Sequence, residues 1–210
     1  MTKPRIKSET LSATTLTKLK EIYIEEVYGR KKEITTKFMD KGTAVETDSF
    51  RLYYEVTGTI LTKNIKTYKN AYLSGTPDDF DKKNKIIYDV KSSWDIFTFA
   101  AVDEKKAKAD YYWQMWGYMW LTGATQAHLI YALVDTPETL KIRELERLAW
   151  KEGVVDFNEI KDKYINLYEY NDIPAKKRIK EYIFTFDPLL IDEVTTQLDL
   201  CRRELKNMEL

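Results

Sequence analysis

The sequence predicts an α/β fold, and three observations carry that reading. Helical apolar spacing opens the chain; β-like stretches follow between Thr57 and Trp94; and a long aromatic helix then leads into a short, fully apolar strand. The order is α-β-β-β-α-β, with a helical insertion and a closing strand and helix behind it.

Each element has its own justification. Over residues 11–28, Leu16, Leu19, Ile22 and Val27 recur at helical spacing, with Ser12 or Thr14 as N-cap. A second helix is expected over 35–54, where Phe38, Met39, Gly42, Val45, Glu46, Phe50 and Tyr53 share one face. Strands are expected over 64–69, 71–81 and 85–92, the last two joined by the turn Lys82-Lys83-Asn84-Lys85. Residues 103–121 read as a helix and 126–134 as a buried strand. Residues 137–172 are charged and helical and form an insertion within one domain spanning 1–210; a strand over 179–186 and a helix over 188–205 close the chain.

Composition narrows the chemistry. With 43% hydrophobic residues, seven Gly and five Pro, the 210-residue chain has the makeup of a folded domain. The basic opening, Met1 to Ser8, has no apolar run behind it, and no stretch approaches a membrane span, so a cytoplasmic protein is expected. One cysteine and one histidine exclude a zinc or iron–sulfur ligand set, which leaves oxygen ligands for any metal. The 34 basic and 34 acidic residues cancel, so a nucleic-acid partner must be read from local features.

The informative stretch is Gly75-Thr-Pro-Asp78-Asp79-Phe-Asp81, a lysine-rich turn, and Ile86-Ile-Tyr-Asp89-Val-Lys91-Ser-Ser. If Asp81 pairs with Ile86 across the turn, antiparallel register sets Asp78 directly opposite Asp89. Opposed carboxylates repel, and a divalent cation with a taste for oxygen ligands, Mg²⁺ or Mn²⁺, relieves that repulsion. Lys91 shares the face of Asp89, whereas Ile86, Tyr88 and Val90 point the other way. An acid pair, a cation and an ammonium suit phosphodiester hydrolysis. A shift of one residue would present Asp79 in place of Asp78, and Asp81 adds a third candidate.

Pro77-Asp78 followed by Asp89-Val90-Lys91 resembles the signature of the PD-(D/E)xK nuclease superfamily. Gly42-Thr-Ala-Val-Glu46 is similar to its helix motif, in which a glycine precedes an acidic residue. Gln114-Met-Trp-Gly-Tyr118 resembles the Gln-x-x-x-Tyr motif of the RecB-like and lambda-exonuclease-like branches, and the stretch 111–123 resembles phage YqaJ-type recombination exonucleases. The resemblance implies a restriction-endonuclease-like core and a DNA exonuclease using Mg²⁺ or Mn²⁺. It implies that Asp78, Asp89 and the Val90 carbonyl ligate the metal with Glu46, that Lys91 acts on the nucleophilic water, and that Gln114 and Tyr118 position nucleophile, phosphate or strand. Tyr111 and Ser92 join Tyr118 as expected substrate contacts. DNA, a single-strand annealing protein and a ring-shaped homotrimer are the partners so implied, in phage recombination or replication. A structure-specific endonuclease and an inactive DNA-binding module remain open alternatives. Trp113, Trp116 and Trp120 read as core or a subunit contact, Trp94, Phe97 and Phe99 as core or a DNA groove, and His128 as structural.

Overall fold

The computed structural model describes residues 11–33 and 36–209. The basic opening of the chain and Thr35, where the second helix is expected to begin, lie outside them. In chain order the elements are α1 (Ala13–Tyr28), α2 (Lys37–Ala44), α3 (Glu46–Thr57), β1 (Tyr68–Lys69), β2 (Ser74–Gly75), β3 (Asp79–Asp81), β4 (Ile86–Ser92), α4 (Ile96–Ala100), α5 (Glu104–Thr122), β5 (Gln126–Ala132), α6 (Glu138–Glu152), α7 (Phe157–Tyr164), β6 (Ile179–Thr185) and α8 (Leu190–Lys206). The expected domain over 1–210 is built from two compact units, Met1–Ile34 with Asp187–Leu210, and Thr35–Phe186.

In the first unit α1 and α8 bury Leu11, Leu19 and Cys201 between them, backed by Leu16, Ile22 and Leu200. Ser12 is the N-cap, its hydroxyl accepting the Thr15 N–H at 3.2 Å, and Gly29 closes α1 in the left-handed conformation at φ 63°. Val27, expected on the inward stripe, is instead exposed, because the helix reaches its cap within a turn of it.

The second unit is built on a four-stranded sheet in the order β3-β4-β5-β6, in which β4 and β5 run parallel and the outer pairs are antiparallel. Parallel pairing requires a crossover, which α4 and α5 supply, and it leaves the two central strands covered on both faces. On one face Ile87, Ala127 and Leu129 pack with Met115 and Met119 of α5. On the other, Tyr88 and Ile130 pack with Tyr53 and Leu61. The expectation that only Ile86, Tyr88 and Val90 face a core is therefore half of the picture: the alternate set carries Ile87 and Asp89 into the deeper one.

Two expected elements differ. The strands expected over 64–69 and 71–81 shrink to the two-residue pair β1–β2 and the three-residue β3. The cause is asparagine. The Asn64 side chain accepts the Lys66 N–H, and Asn70 accepts those of Tyr72 and Leu73, so the side chains take donors that a ladder would use. The helix expected over 35–54 breaks at Val45 (φ −111°, ψ 14°) into α2 and α3. Its hydrogen bonds survive the break, Val45 N–H to Lys41 O and Ser49 N–H to Val45 O, but the buried stripe becomes Lys41, Val45, Ser49 and Leu52, leaving Phe38 and Met39 exposed.

The insertion contributes α6 and α7, whose Leu145 and Ile160 enclose Trp94 together with Tyr168. Trp116 is buried in the manner expected of a core residue, Trp113 and Phe97 are exposed, and Phe99 is core. His128 is structural in its contacts: its Nδ1 lies 2.7 Å from Glu181, whose carboxylate also accepts the Tyr53 hydroxyl at 2.6 Å. No helix among the described residues is long and apolar enough to cross a membrane.

Lys180 of β6 donates to three carbonyls at the end of α4 and beyond, Phe99 at 2.8 Å, Ala100 at 3.2 Å and Val102 at 2.7 Å, and so fixes the entry to α5. Replacing it leaves three carbonyls short of one charged donor. Lys180→Met is expected to lower stability by about 2 kcal/mol, read as a lower urea midpoint at unchanged slope.

Candidate active site

The hairpin between β3 and β4 sets the centre of the site. Asp81 pairs with Ile86 and Asp79 with Tyr88, so the next position outward brings Asp78 opposite Asp89. Asp81 shapes the turn, its carboxylate accepting the Lys83 N–H at 2.9 Å and the Asn84 N–H at 3.0 Å, which fixes that register. Asp79 is likewise occupied, accepting the backbone N–H groups of Thr62 at 3.0 Å and Phe80 at 2.7 Å. Of the three acids it is therefore Asp78 that meets Asp89. Asn64 holds it in place: its backbone N–H donates to the Asp78 carbonyl at 2.7 Å and its side-chain amide to the Pro77 carbonyl at 2.9 Å.

Asp78 Oδ2 accepts the Val90 N–H at 2.7 Å. In a strand the N–H and C=O of one residue point to the same side, so the Val90 carbonyl is directed beyond the end of β3 toward Asp78. Asp89 is buried, and its Oδ2 lies 2.5 Å from Lys91 Nζ, though not at angles that make a hydrogen bond. The Lys91 ammonium in turn sits 5.1 Å from the centre of the Tyr111 ring.

Burial and the neighbouring Asp89 raise Asp78 to about 6, against the pull of the Val90 N–H and Lys91. Burial raises Asp89 as well, opposed by Lys91. For Lys91, burial works downward, but the charges of Asp89 and Asp78 prevail and hold it above the ordinary lysine range. Two carboxylates are thus kept close in a place that disfavours both of their charges, with one ammonium paired to Asp89.

Around this centre lies an open cleft of about 590 Å³. Glu46, Asp78, Val90, Lys91, Ser92 and Tyr111 all line it, so most of the residues singled out in the sequence come together. Gln114 and Tyr118 do not line it. Gln114 Nε2 donates to the Tyr118 hydroxyl at 2.9 Å, and that hydroxyl feels the charges of Asp89, Lys91 and Asp78. Tyr118 is pressed onto the backbone of β2: a Cβ on Gly75 would stand 2.6 Å from its ring. At Gly42 nothing beyond its own stretch of helix lies within 4 Å of such a Cβ, and the residue lines the cleft, so space is open there on the cleft wall.

Three contributors escaped the sequence reading. Lys63 forms an ion pair with Glu46, which holds the lysine above its ordinary range. Ser49 bonds Ser92 through their hydroxyls at 2.8 Å. Lys41, fully buried, donates to the Trp94 carbonyl at 2.8 Å and so ties α2 to the segment leaving β4. Each acts across a long stretch of chain, and nothing in the residue type marks a lysine or serine as engaged there.

Among the described residues no three carboxylate, imidazole or thiol side chains already converge as a metal cage. What is present still fits a hard divalent cation: the buried carboxylate of Asp89 and the half-buried one of Asp78, disfavoured as a bare pair, and the Val90 carbonyl directed to the same side. Glu46 lines the same cleft but is engaged by Lys63.

Fold and site together define an α/β protein with a mixed sheet, in which Asp89 lies on β4 and Asp78 at the entry to β3. Similar solved structures include a phage related exonuclease from Haemophilus somnus 129PT (TM-score 0.73, 24% identity, covering 98% of this chain and 89% of that one). An alkaline exonuclease (LHK-Exo) from Laribacter hongkongensis matches with TM-score 0.64 at 16% identity, over 95% of this chain and 83% of its own. The same enzyme in complex with dAMP matches with TM-score 0.63 at 17% identity, over 94% and 83%. At these identities the likeness establishes the fold. No protein-family model matches the sequence, and no curated protein matches it either.

Burial drags the Lys41 ammonium from the ordinary 10.5 to about 8, with Asp135 and Asp95 opposing. Between those two values the unfolded chain keeps a proton that the folded chain has released, so this group makes stability rise with pH through that window and contributes no slope below it. Relative to Lys41→Met, the wild-type protein is expected to gain up to about 3 kcal/mol between pH 8 and 10.5. Denaturant melts of both proteins across that range read the difference directly, and parallel pH dependences would contradict it.

Proposed function

We propose that this protein is a metal-dependent exonuclease hydrolysing the phosphodiester bonds of linear duplex DNA. The observation that carries the reading is the Asp78–Asp89 pair with Lys91 against Asp89: Asp78 and Lys91 line a cleft and Asp89 is buried beside them, in a fold shared with exonucleases. Asp78, Asp89 and the Val90 carbonyl would hold Mg²⁺ or Mn²⁺, with Glu46 completing or supporting the set. Such an ion lowers the pKa of a bound water and offsets charge on the phosphate.

The chain's own groups do the rest. Lys91, held as an ammonium by Asp89 and Asp78, orients the attacking water and stabilises negative charge developing on the phosphate oxygens. Asn64 and the Val90 N–H keep Asp78 from swinging away from Asp89. Tyr118, bonded by Gln114 and seated on Gly75, would with Gln114 position nucleophile, phosphate or strand from the side of α5. Tyr111 and Ser92 line the path of the DNA, and Gly42 leaves room for its backbone. A role in phage recombination or replication, a single-strand annealing partner and a ring-shaped homotrimer belong to the same proposal. The dAMP complex of LHK-Exo is in keeping with a nucleotide as product.

Asp89→Ala and Lys91→Ala are each expected to lower cleavage of linear duplex about a thousandfold while the circular dichroism spectrum stays native. Chelation of divalent metal is expected to stop the wild-type reaction, and covalently closed circles are expected to remain intact. Undiminished digestion by either variant would refute the site; cutting of closed circles would make the enzyme an endonuclease; and DNA binding without cleavage in Mg²⁺ or Mn²⁺ would make it a binding module.

A further inference from the structure

A second depression adjoins the cleft on the far side of Glu46 and has no part in the chemistry above. It has a volume of about 420 Å³ and is formed by the exposed side of α3 and the segment 60–63. Phe50, Tyr54, Ile60 and Leu61 supply its apolar surface; its charged groups are Arg51 and Lys63, the latter paired with Glu46, which also lines it. Ile60 is 74% exposed and Tyr54 51% exposed, large apolar groups left in water at the rim of a polar cleft. The two depressions are continuous in their lining: Glu46 and Lys63 belong to both.

The geometry points to this groove as a nucleobase subsite, which receives the base of the nucleotide whose phosphate is cut in the neighbouring cleft; the inference rests on the nuclease reading for its neighbour. Three features select that occupant. A base offers a flat π-face to Tyr54 and Phe50 and an edge to Ile60 and Leu61, without the long apolar contour a helix or lipid chain would need. The volume lies within the range of sites for small molecules. The charge also fits: Lys63, paired with Glu46, stands at the junction, where a nucleotide with its base in the groove would carry its phosphate, and Arg51 stands at the rim, paired with Asp48 at 3.0 Å on the exposed helix surface, where such a pair is weak. Stacking of this kind tolerates any base, as an enzyme that works along a strand requires.

Binding of deoxyadenosine 5′-monophosphate and of deoxyribose 5-phosphate, followed by ligand-observed NMR without metal, separates the base from the phosphate. Wild-type protein is expected to bind the nucleotide about tenfold more tightly than the sugar phosphate. Tyr54→Ala combined with Ile60→Ser, both at exposed positions, is expected to abolish that preference and leave the affinity for deoxyribose 5-phosphate unchanged. Equal affinity of the wild type for the two ligands, or an undiminished preference in the double variant, would overturn the subsite. A wild-type protein that shows the preference but cleaves no DNA would keep the groove and reject the nuclease; one that cleaves DNA without the preference would do the reverse.

Discussion

The structure depends on one unfavourable juxtaposition: the carboxylates of Asp78 and Asp89 brought opposite each other at the end of a hairpin, with Asp89 buried and Lys91 against it. A buried ion pair gains little net stability over a well-packed apolar pair, because desolvation consumes the Coulombic attraction. Here a third charge makes matters worse. Such an arrangement persists because the surroundings enforce it: the Asp81 turn fixes register, Asn64 clamps Pro77 and Asp78, and the parallel β4–β5 pairing encloses Asp89 under α5.

Much of the remaining architecture supports that point from a distance. Lys41 is buried at a cost to hold Trp94, and Trp94 is gripped in turn by the helices of the insertion. The insertion is thereby part of the wall that begins where β4 ends. Lys180 does comparable work on the other side, gathering the carbonyls that precede α5, so that the helix bearing Tyr111, Gln114 and Tyr118 meets the sheet at a set angle.

What was legible in the sequence was local. Asp81, the lysine-rich turn and Ile86 determine the register of the hairpin within six residues, so the meeting of Asp78 with Asp89 and the shared face of Lys91 could be derived. The long helix before the buried strand from Gln126, and that strand itself, were likewise plain: aromatic-rich character marks the one, which the structure shows capped by Asp103 and Gly123, and continuous apolar character the other. Contacts closed over long separations left no pattern to read. Lys63 on Glu46, Asn64 on Pro77 and Lys41 on Trp94 depend on where a loop returns in space, and exposed lysine or asparagine looks the same in a sequence whether or not it does so. The Val45 break belongs to the same class: the apolar spacing continues through it while the axis changes. Gln114 and Tyr118 fell between the two cases, with their mutual bond following from helical spacing and their position outside the cleft lining depending on Gly75.

The central claim is that the opposed carboxylates are destabilising until a divalent ion joins them, and thermal melting in chelator and in Mn²⁺ tests it most directly. Wild-type protein should melt higher with Mn²⁺ than without, while Asp89→Asn should melt no lower than wild type in chelator and should gain nothing from the ion. An Asp89→Asn variant that is markedly less stable in chelator, or a wild-type melt indifferent to Mn²⁺, would contradict the account.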